Sequence, residues 1–140
     1  MIPALPRHRD LSRRQREMIA VVVSRENRCD YCVTHHLEAL SRYVDDATVL
    51  DAVSTDYRTI DLPEADRALL DYAAKLTRDP SSSSAADIAA LRSAALRSAG
   101  IAEADILLAN LVIDYFNFVN RIALGLGVAS SAAEVAGYSV

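Results

Sequence analysis

Cys29-Asp30-Tyr31-Cys32-Val33-Thr34-His35-His36 holds both cysteines of the chain, three residues apart, with a histidine four residues after the second. On a helix this spacing stacks Cys29, Cys32 and His36 along one face, because positions three and four apart are neighbours there. The stretch reads as a redox dithiol with its own base, set in the first turns of a helix. Twelve residues before Cys29, in the preceding predicted helix, stands Glu17. Its carboxylate can orient the histidine if the two helices pack side by side.

Outward from this stretch the pattern is helical throughout. Ser12 can cap a helix from Arg13 to about Asn27, with Met18, Ile19, Val22 and Val23 at helical spacing. A break at Asn27-Arg28 precedes a second helix, Cys29 to Tyr43, whose inward stripe is Val33, Leu37, Leu40 and Val44. Asp45 or Asp46 can cap a third through about Ser54, and Pro63 opens a fourth, Glu64 to Arg78, burying Ala68, Leu69, Tyr72, Ala73 and Leu76. Asp79-Pro80 and Ser81 to Ser84 form a linker before a fifth helix, Ala85 to Ser98, which Gly100 terminates. The last long helix runs from about Ala102 to Leu124, with Glu103 and Asp105 in the first turn, where the helix dipole favours negative charge. Its apolar residues, from Ile106 to Ile122, occupy nearly every angle around the axis, so burial on most sides is expected. One short chain can hardly enclose such a helix, which points to a homo-oligomer with this helix near the interface. Asn117 and Asn120 on the same helix each need a hydrogen-bond partner. Tyr115 and Phe116 read as core or interface. The expected fold is all-α, a single domain over residues 1–140 built as a bundle of about six helices, and there is no internal repeat.

Composition agrees. With 140 residues the chain suits one domain; 51% is apolar, with no Trp and only 4 Gly and 4 Pro. Lys+Arg at 15 against Asp+Glu at 19 gives a net charge of −4, which offers a phosphate backbone no attraction, so no nucleic-acid partner is expected. The run Arg13, Arg14, Arg16 reads as a solvated face or a subunit contact. Met1 to Asp10 has no long apolar core and does not resemble a secretory signal. The longest apolar run, Ile106 to Ile113, falls well short of the ~20 residues that span a bilayer. The expected location is the cytoplasm, with no membrane partner. In that reducing setting, closely spaced cysteines are more often catalytic or metal-binding than structural.

A free cysteine has a pKa of about 8.5, yet only the thiolate attacks a peroxide or a disulfide. The helix N-terminus and an imidazole one turn from Cys32 both stabilise the anion. Cys32 stands in i,i+4 relation to His36, which makes it the attacking thiolate and Cys29 the resolving partner. Attack on a hydroperoxide leaves Cys32 as a sulfenic acid, and Cys29 condenses with it to a disulfide that an external dithiol reduces. Histidine, with an ordinary pKa of about 6.5, takes and returns the proton, and Glu17 fixes its tautomer. Taken alone, Glu17 after three arginines would be a surface ion pair. His35 is rotated about 100° around the axis from His36 and reads as a surface residue or a second participant. Zinc is disfavoured because all candidate ligands fall on one element, so no metal and no bound cofactor are expected. Two inert buried cysteines would leave the position of His36 unexplained.

The segment Glu17 to His36 resembles the alkylhydroperoxidase D-like branch of the carboxymuconolactone decarboxylase superfamily, whose pattern is a glutamate, eleven residues, then C-x-x-C-x-x-x-H. Leu11 to Glu17, Ala68 to Thr77 and Tyr115 to Ile122 look like its peroxidase-related subgroup, so the similarity covers most of residues 11–128. The resemblance implies an all-helical fold, homo-oligomers that are often trimers or hexamers, and a dithiol peroxidase with Cys32 peroxidatic. One position departs from the pattern. The best-studied peroxidases of this type carry a second histidine immediately before the second cysteine, and here that residue is Tyr31. Tyrosine, with a pKa of about 10, hydrogen-bonds but accepts protons poorly at neutral pH.

Four readings compete. The first is a peroxidase reducing organic hydroperoxides or hydrogen peroxide, with a protein or small dithiol as reductant. A redox sensor or thiol-disulfide adaptor would begin with the same chemistry and differ in turnover. Lactone decarboxylation, as in the rest of the superfamily, has no need of the C-x-x-C pair. An oligomeric scaffold with idle cysteines would leave Cys32 unreactive.

Overall fold

The computed structural model describes residues 11–98 and 102–137. Gly100 and the segment Met1 to Asp10, on which two of the expectations above fall, lie outside the described residues. Among the described residues there are seven α-helices and no strand. They are α1 (Arg13–Glu26), α2 (Asp30–Leu40), α3 (Ala47–Thr55), α4 (Glu64–Arg78), α5 (Ala85–Ser98), α6 (Glu103–Leu126) and α7 (Ala132–Gly137), with short 3-10 turns at Tyr57–Thr59 and Pro80–Ser82.

Helix α1 begins in a capping box. The Gln15 N–H donates to Ser12 Oγ at 3.1 Å, and the Ser12 N–H donates to Gln15 Oε1 at 3.0 Å. From Met18 to Ser24 every side chain of α1 is enclosed, because α2, α3, α4 and α6 pack around it. A helix apolar on all sides is a central helix, and α1, not α6, takes that place. Helix α6 buries one face, from Ile106 through Ala109, Ile113 and Asn120 to Ala123. Its opposite face stays open, with Leu111 at 56%, Tyr115 at 59% and Phe118 at 62% exposure. By length and composition alone α6 is long and apolar enough to cross a membrane. In the fold it carries polar groups bonded within the protein, Asn110 Nδ2 donating to the Tyr72 hydroxyl at 2.7 Å.

The second helix is shorter than the pattern predicts and turns a different face inward. It ends at Leu40, and its buried residues are Cys32, His35, His36, Ala39 and Leu40, whereas Val33 and Leu37 are half-buried at the edge. The side that packs on α1 is therefore the side that carries the chemistry. Apolar spacing alone favours Val33 and Leu37, and it misses that a histidine buries readily once a carboxylate waits opposite it.

The turn between α1 and α2 sets where the first cysteine falls. The Cys29 N–H donates to the Ser24 carbonyl at 2.9 Å and the Arg28 N–H to the Arg25 carbonyl at 3.0 Å. This is the six-to-one and five-to-two pairing of a Schellman motif. The motif needs a left-handed residue, usually glycine, and here Arg28 supplies it at φ 57. Just before it, Asn27 Nδ2 donates to Asn117 Oδ1 and Asn120 Oδ1, both at 3.0 Å. Asn117 Nδ2 donates to Thr77 Oγ1 at 3.0 Å, and Asn120 Nδ2 to Ser24 Oγ at 3.1 Å. Both asparagines of α6 thus have the partners their burial demands, and together they fix the end of α1 against α4 and α6.

Two stability measurements follow. Asn120→Ala leaves Ser24 and Asn27 short of a partner in a site with no exposure, and a loss of about 1–3 kcal/mol is expected in urea unfolding. Arg28→Gly relieves the left-handed arginine and is expected to gain about 1 kcal/mol, while the β-branched Arg28→Val moves the urea midpoint the other way.

Candidate active site

Cys29 is the N-cap of α2, placed by the Schellman turn, and Cys32 lies in the first helical turn. The two are joined as a disulfide with their Cα atoms 5.3 Å apart, a separation well inside the range a disulfide spans. Both sulfurs are shielded: Cys29 is 1% and Cys32 3% exposed, packed with Ala123 of α6 and the half-buried Tyr31.

One turn further, His36 faces the middle of α1. Its Nδ1–H donates to Glu17 Oε2 at 2.9 Å, with both side chains buried. A carboxylate can only accept, so the proton of a neutral ring sits on Nδ1 and the lone pair is left on Nε2. Phe116 of α6 meets the imidazole edge-on with ring centres 4.7 Å apart, holding its plane. Glu17 Oε1 lies 3.5 Å from Arg13 Nε. Glu17 is therefore an ion-pair partner of the preceding turn as well as a partner of His36, and it is a buried residue, not a surface one.

His35 is not a surface residue either, being 3% exposed. Its Nδ1–H donates to the Tyr31 carbonyl at 2.8 Å, and its Nε2 lies 3.5 Å from Glu134 Oε1 of α7. The Tyr31 hydroxyl donates to the same Glu134 oxygen at 2.9 Å. The tyrosine between the two cysteines thus has a carboxylate partner. Neither α7 nor Glu134 is singled out by hydrophobic periodicity, since six residues are too few to show it. A signal was nevertheless present in Ser131-Ala132-Ala133-Glu134, an S-x-x-E capping pattern, and Ser131 Oγ accepts from the Glu134 N–H at 3.2 Å. Asn27, which ties the dithiol turn to α6, was likewise legible only as a helix break.

The arrangement joins a dithiol in its oxidised form to an imidazole of fixed tautomer and a buried carboxylate, all from α1 and α2. An imidazole held in this way can take up and release a proton at Nε2, and the two sulfurs can cycle between thiol and disulfide. Among the described residues no three of His, Cys, Asp and Glu are grouped to hold a metal ion.

The sequence profile of the Carboxymuconolactone decarboxylase family matches residues 4–75, just over half of the chain. Among solved structures, an uncharacterized peroxidase-related protein from Silicibacter sp. TM1040 is 34% identical with a TM-score of 0.81, covering 92% of this chain and 65% of that one. A second, from Ralstonia eutropha JMP134 and described as an alkylhydroperoxidase AhpD core, is 31% identical with a TM-score of 0.78 and covers 89% of this chain and 63% of that one. The chain thus spans just under two thirds of the length of each. A protein of unknown function from Agrobacterium tumefaciens, 24% identical with a TM-score of 0.69 over 87% of this chain and 80% of that one, shares the fold. No functionally curated protein sequence matches the chain. The dithiol, its imidazole and its carboxylate stand on the helical frame these proteins share, and the chain belongs to the carboxymuconolactone decarboxylase family, in its peroxidase-related, alkylhydroperoxidase D-like branch.

Proposed function

We propose that the protein is a thiol-dependent peroxidase that reduces organic hydroperoxides or hydrogen peroxide through a Cys29–Cys32 dithiol cycle. The observation that carries this reading is the buried hydrogen bond from His36 Nδ1–H to Glu17, on the same helix as the oxidised pair. In the first step the Cys32 thiolate attacks the distal peroxide oxygen, the O–O bond breaks, and the departing alkoxide takes a proton. His36 supplies that proton, having accepted it from the Cys32 thiol. Cys29 then attacks the sulfenic sulfur of Cys32, forming the S–S bond and releasing water. An external dithiol, small or protein-borne, exchanges with the disulfide and returns both thiols. The cycle calls for a reducing compartment, which is the cytoplasm.

Tyr31 favours a second reading. A phenol held by Glu134 in the place of a basic histidine slows proton delivery, and a slow dithiol that is oxidised once per pulse of oxidant is a redox sensor or adaptor. The two differ in turnover, since a peroxidase consumes many equivalents of peroxide per protein when a dithiol is supplied. We assign a homo-oligomer to the C-terminal half of the open face of α6, beyond Leu111 and Tyr115, where Phe118, Ile122 and Leu126 are 62%, 46% and 76% exposed. An apolar stripe of this kind is unusual on a free monomer, and a second copy would cover it.

Peroxide consumption with a panel of dithiols tests the function. Cys32→Ser is expected to abolish turnover, and Cys29→Ser to trap a sulfenic acid on Cys32 visible by mass. His36→Ala is expected to lower kcat/KM by about 10²–10⁴-fold, with Glu17→Gln giving a smaller loss. Catalytic consumption absent with every dithiol, from a pair that still oxidises, would leave the sensor. For the oligomer, Phe118→Asp is expected to lower the sedimentation coefficient.

A further inference from the structure

Beside the relay, on its side away from the cysteines, α1 and α6 enclose a cleft of about 260 Å³. Arg13, Arg16 and Glu17 line it from α1, and Leu111, Val112, Tyr115 and Phe116 from α6. Two features mark it as more than a gap between helices. First, its charges do not balance. Two guanidinium groups face a single carboxylate, Glu17, which accepts from His36 and pairs with Arg13 Nε alone of the two, at 3.5 Å. Arg14, which lies between them in sequence, is by contrast fully engaged with Asp66. Second, Arg13 Nη2 and Arg16 Nε are shielded from solvent yet donate to no acceptor. An enclosed donor without an acceptor is destabilising, and an anion arriving there would relieve it. The opposite wall is apolar, formed by Leu111, Val112, Tyr115 and Phe116 of α6.

We propose that this cleft binds the carboxylate end of an acyl chain, with the head group on Arg13 and Arg16 and the tail against Leu111, Val112, Tyr115 and Phe116. The planar guanidinium fork suits a carboxylate better than it suits a hydroxyl or an ester. The volume admits a medium-length tail. Phe116 lines the cleft and also meets the His36 ring, so an occupant lies close to the imidazole, and the binding step does not rest on the peroxidase reading.

The test is calorimetric titration of the full chain with decanoate, in the absence of any peroxide, alongside decanol and decyltrimethylammonium. Decanoate is expected to bind and the other two to bind at least tenfold more weakly. Arg16→Gln is expected to raise the decanoate Kd by about tenfold or more, as loss of a charge-assisted bond predicts, with Arg16→Lys restoring part of it. Glu17→Gln removes a repelling charge and is expected to lower the Kd, a change of sign that a loosened fold would not give. Decanol binding as tightly as decanoate, or an unchanged Kd in Arg16→Gln, would overturn the proposal. So would no binding at all, the result if a second copy of the chain fills the cleft. Failure of peroxide turnover leaves the titration intact, so the two readings fail separately.

Discussion

A carboxylate in the middle of the most enclosed helix of a protein must find a partner. The hydrogen bond from His36 to Glu17 is the contact around which the rest is arranged. Burying an ionised group without compensation costs more than the net stability of most domains can absorb. Because Glu17 projects from α1 where the neighbouring positions are Met18 and Ile19, α2 must lie alongside with His36 at that level. The register of α2 on α1 is then set, and the Cys32 position, one turn back, follows. The turn at Asn27-Arg28-Cys29 makes this register reachable by reversing the chain within three residues, at the cost of one left-handed arginine. The asparagine network behind it holds the end of α1 on α6, which supplies Phe116 against the imidazole and Ala123 against the sulfurs. A single polar contact in an apolar helix thus determines where four elements meet.

How much of this the sequence discloses depends on the range of the forces involved. Helix boundaries governed by local rules were legible: Ser12 and Asp46 cap as their side chains predict, and α4 and α5 run over the residues expected. The pairing of Glu17 with His36 was legible because two helices joined by a tight turn must run antiparallel, which makes spacing along the chain a proxy for distance. The orientation of α6 was not. A helix apolar at nearly every angle states that it wants burial without saying on which side, and the answer came from α1, whose own enclosure used up the available core. His35 was misread for a related reason. Its environment is built by α7, more than ninety residues away in sequence, and no local pattern on α2 points there.

Tyr31 lies between the two cysteines, on a frame that the chain shares with peroxidase-related proteins over most of its length. A histidine between the cysteines would offer a second base at the dithiol. A tyrosine offers a ring to pack on the sulfurs and a hydroxyl that donates, and Glu134 of α7 accepts from it. The residue exchanges proton mobility for cover.

The position of Cys29 at the N-cap carries a consequence for the oxidised and reduced forms. The N-cap and the third helical residue are the two positions that a capping box ties together with hydrogen bonds, as Ser12 and Gln15 do for α1. In α2 the same two positions are Cys29 and Cys32, the N-cap makes no side-chain capping hydrogen bond, and the tie is the disulfide itself. A covalent staple thus ties the two residues that a capping box would tie, without accepting from the first-turn N–H groups. When an electron pair enters the bond, that tie is released and a thiolate faces the N–H groups of the first turn, so the redox state of the sulfurs and the constraint on the start of α2 change together.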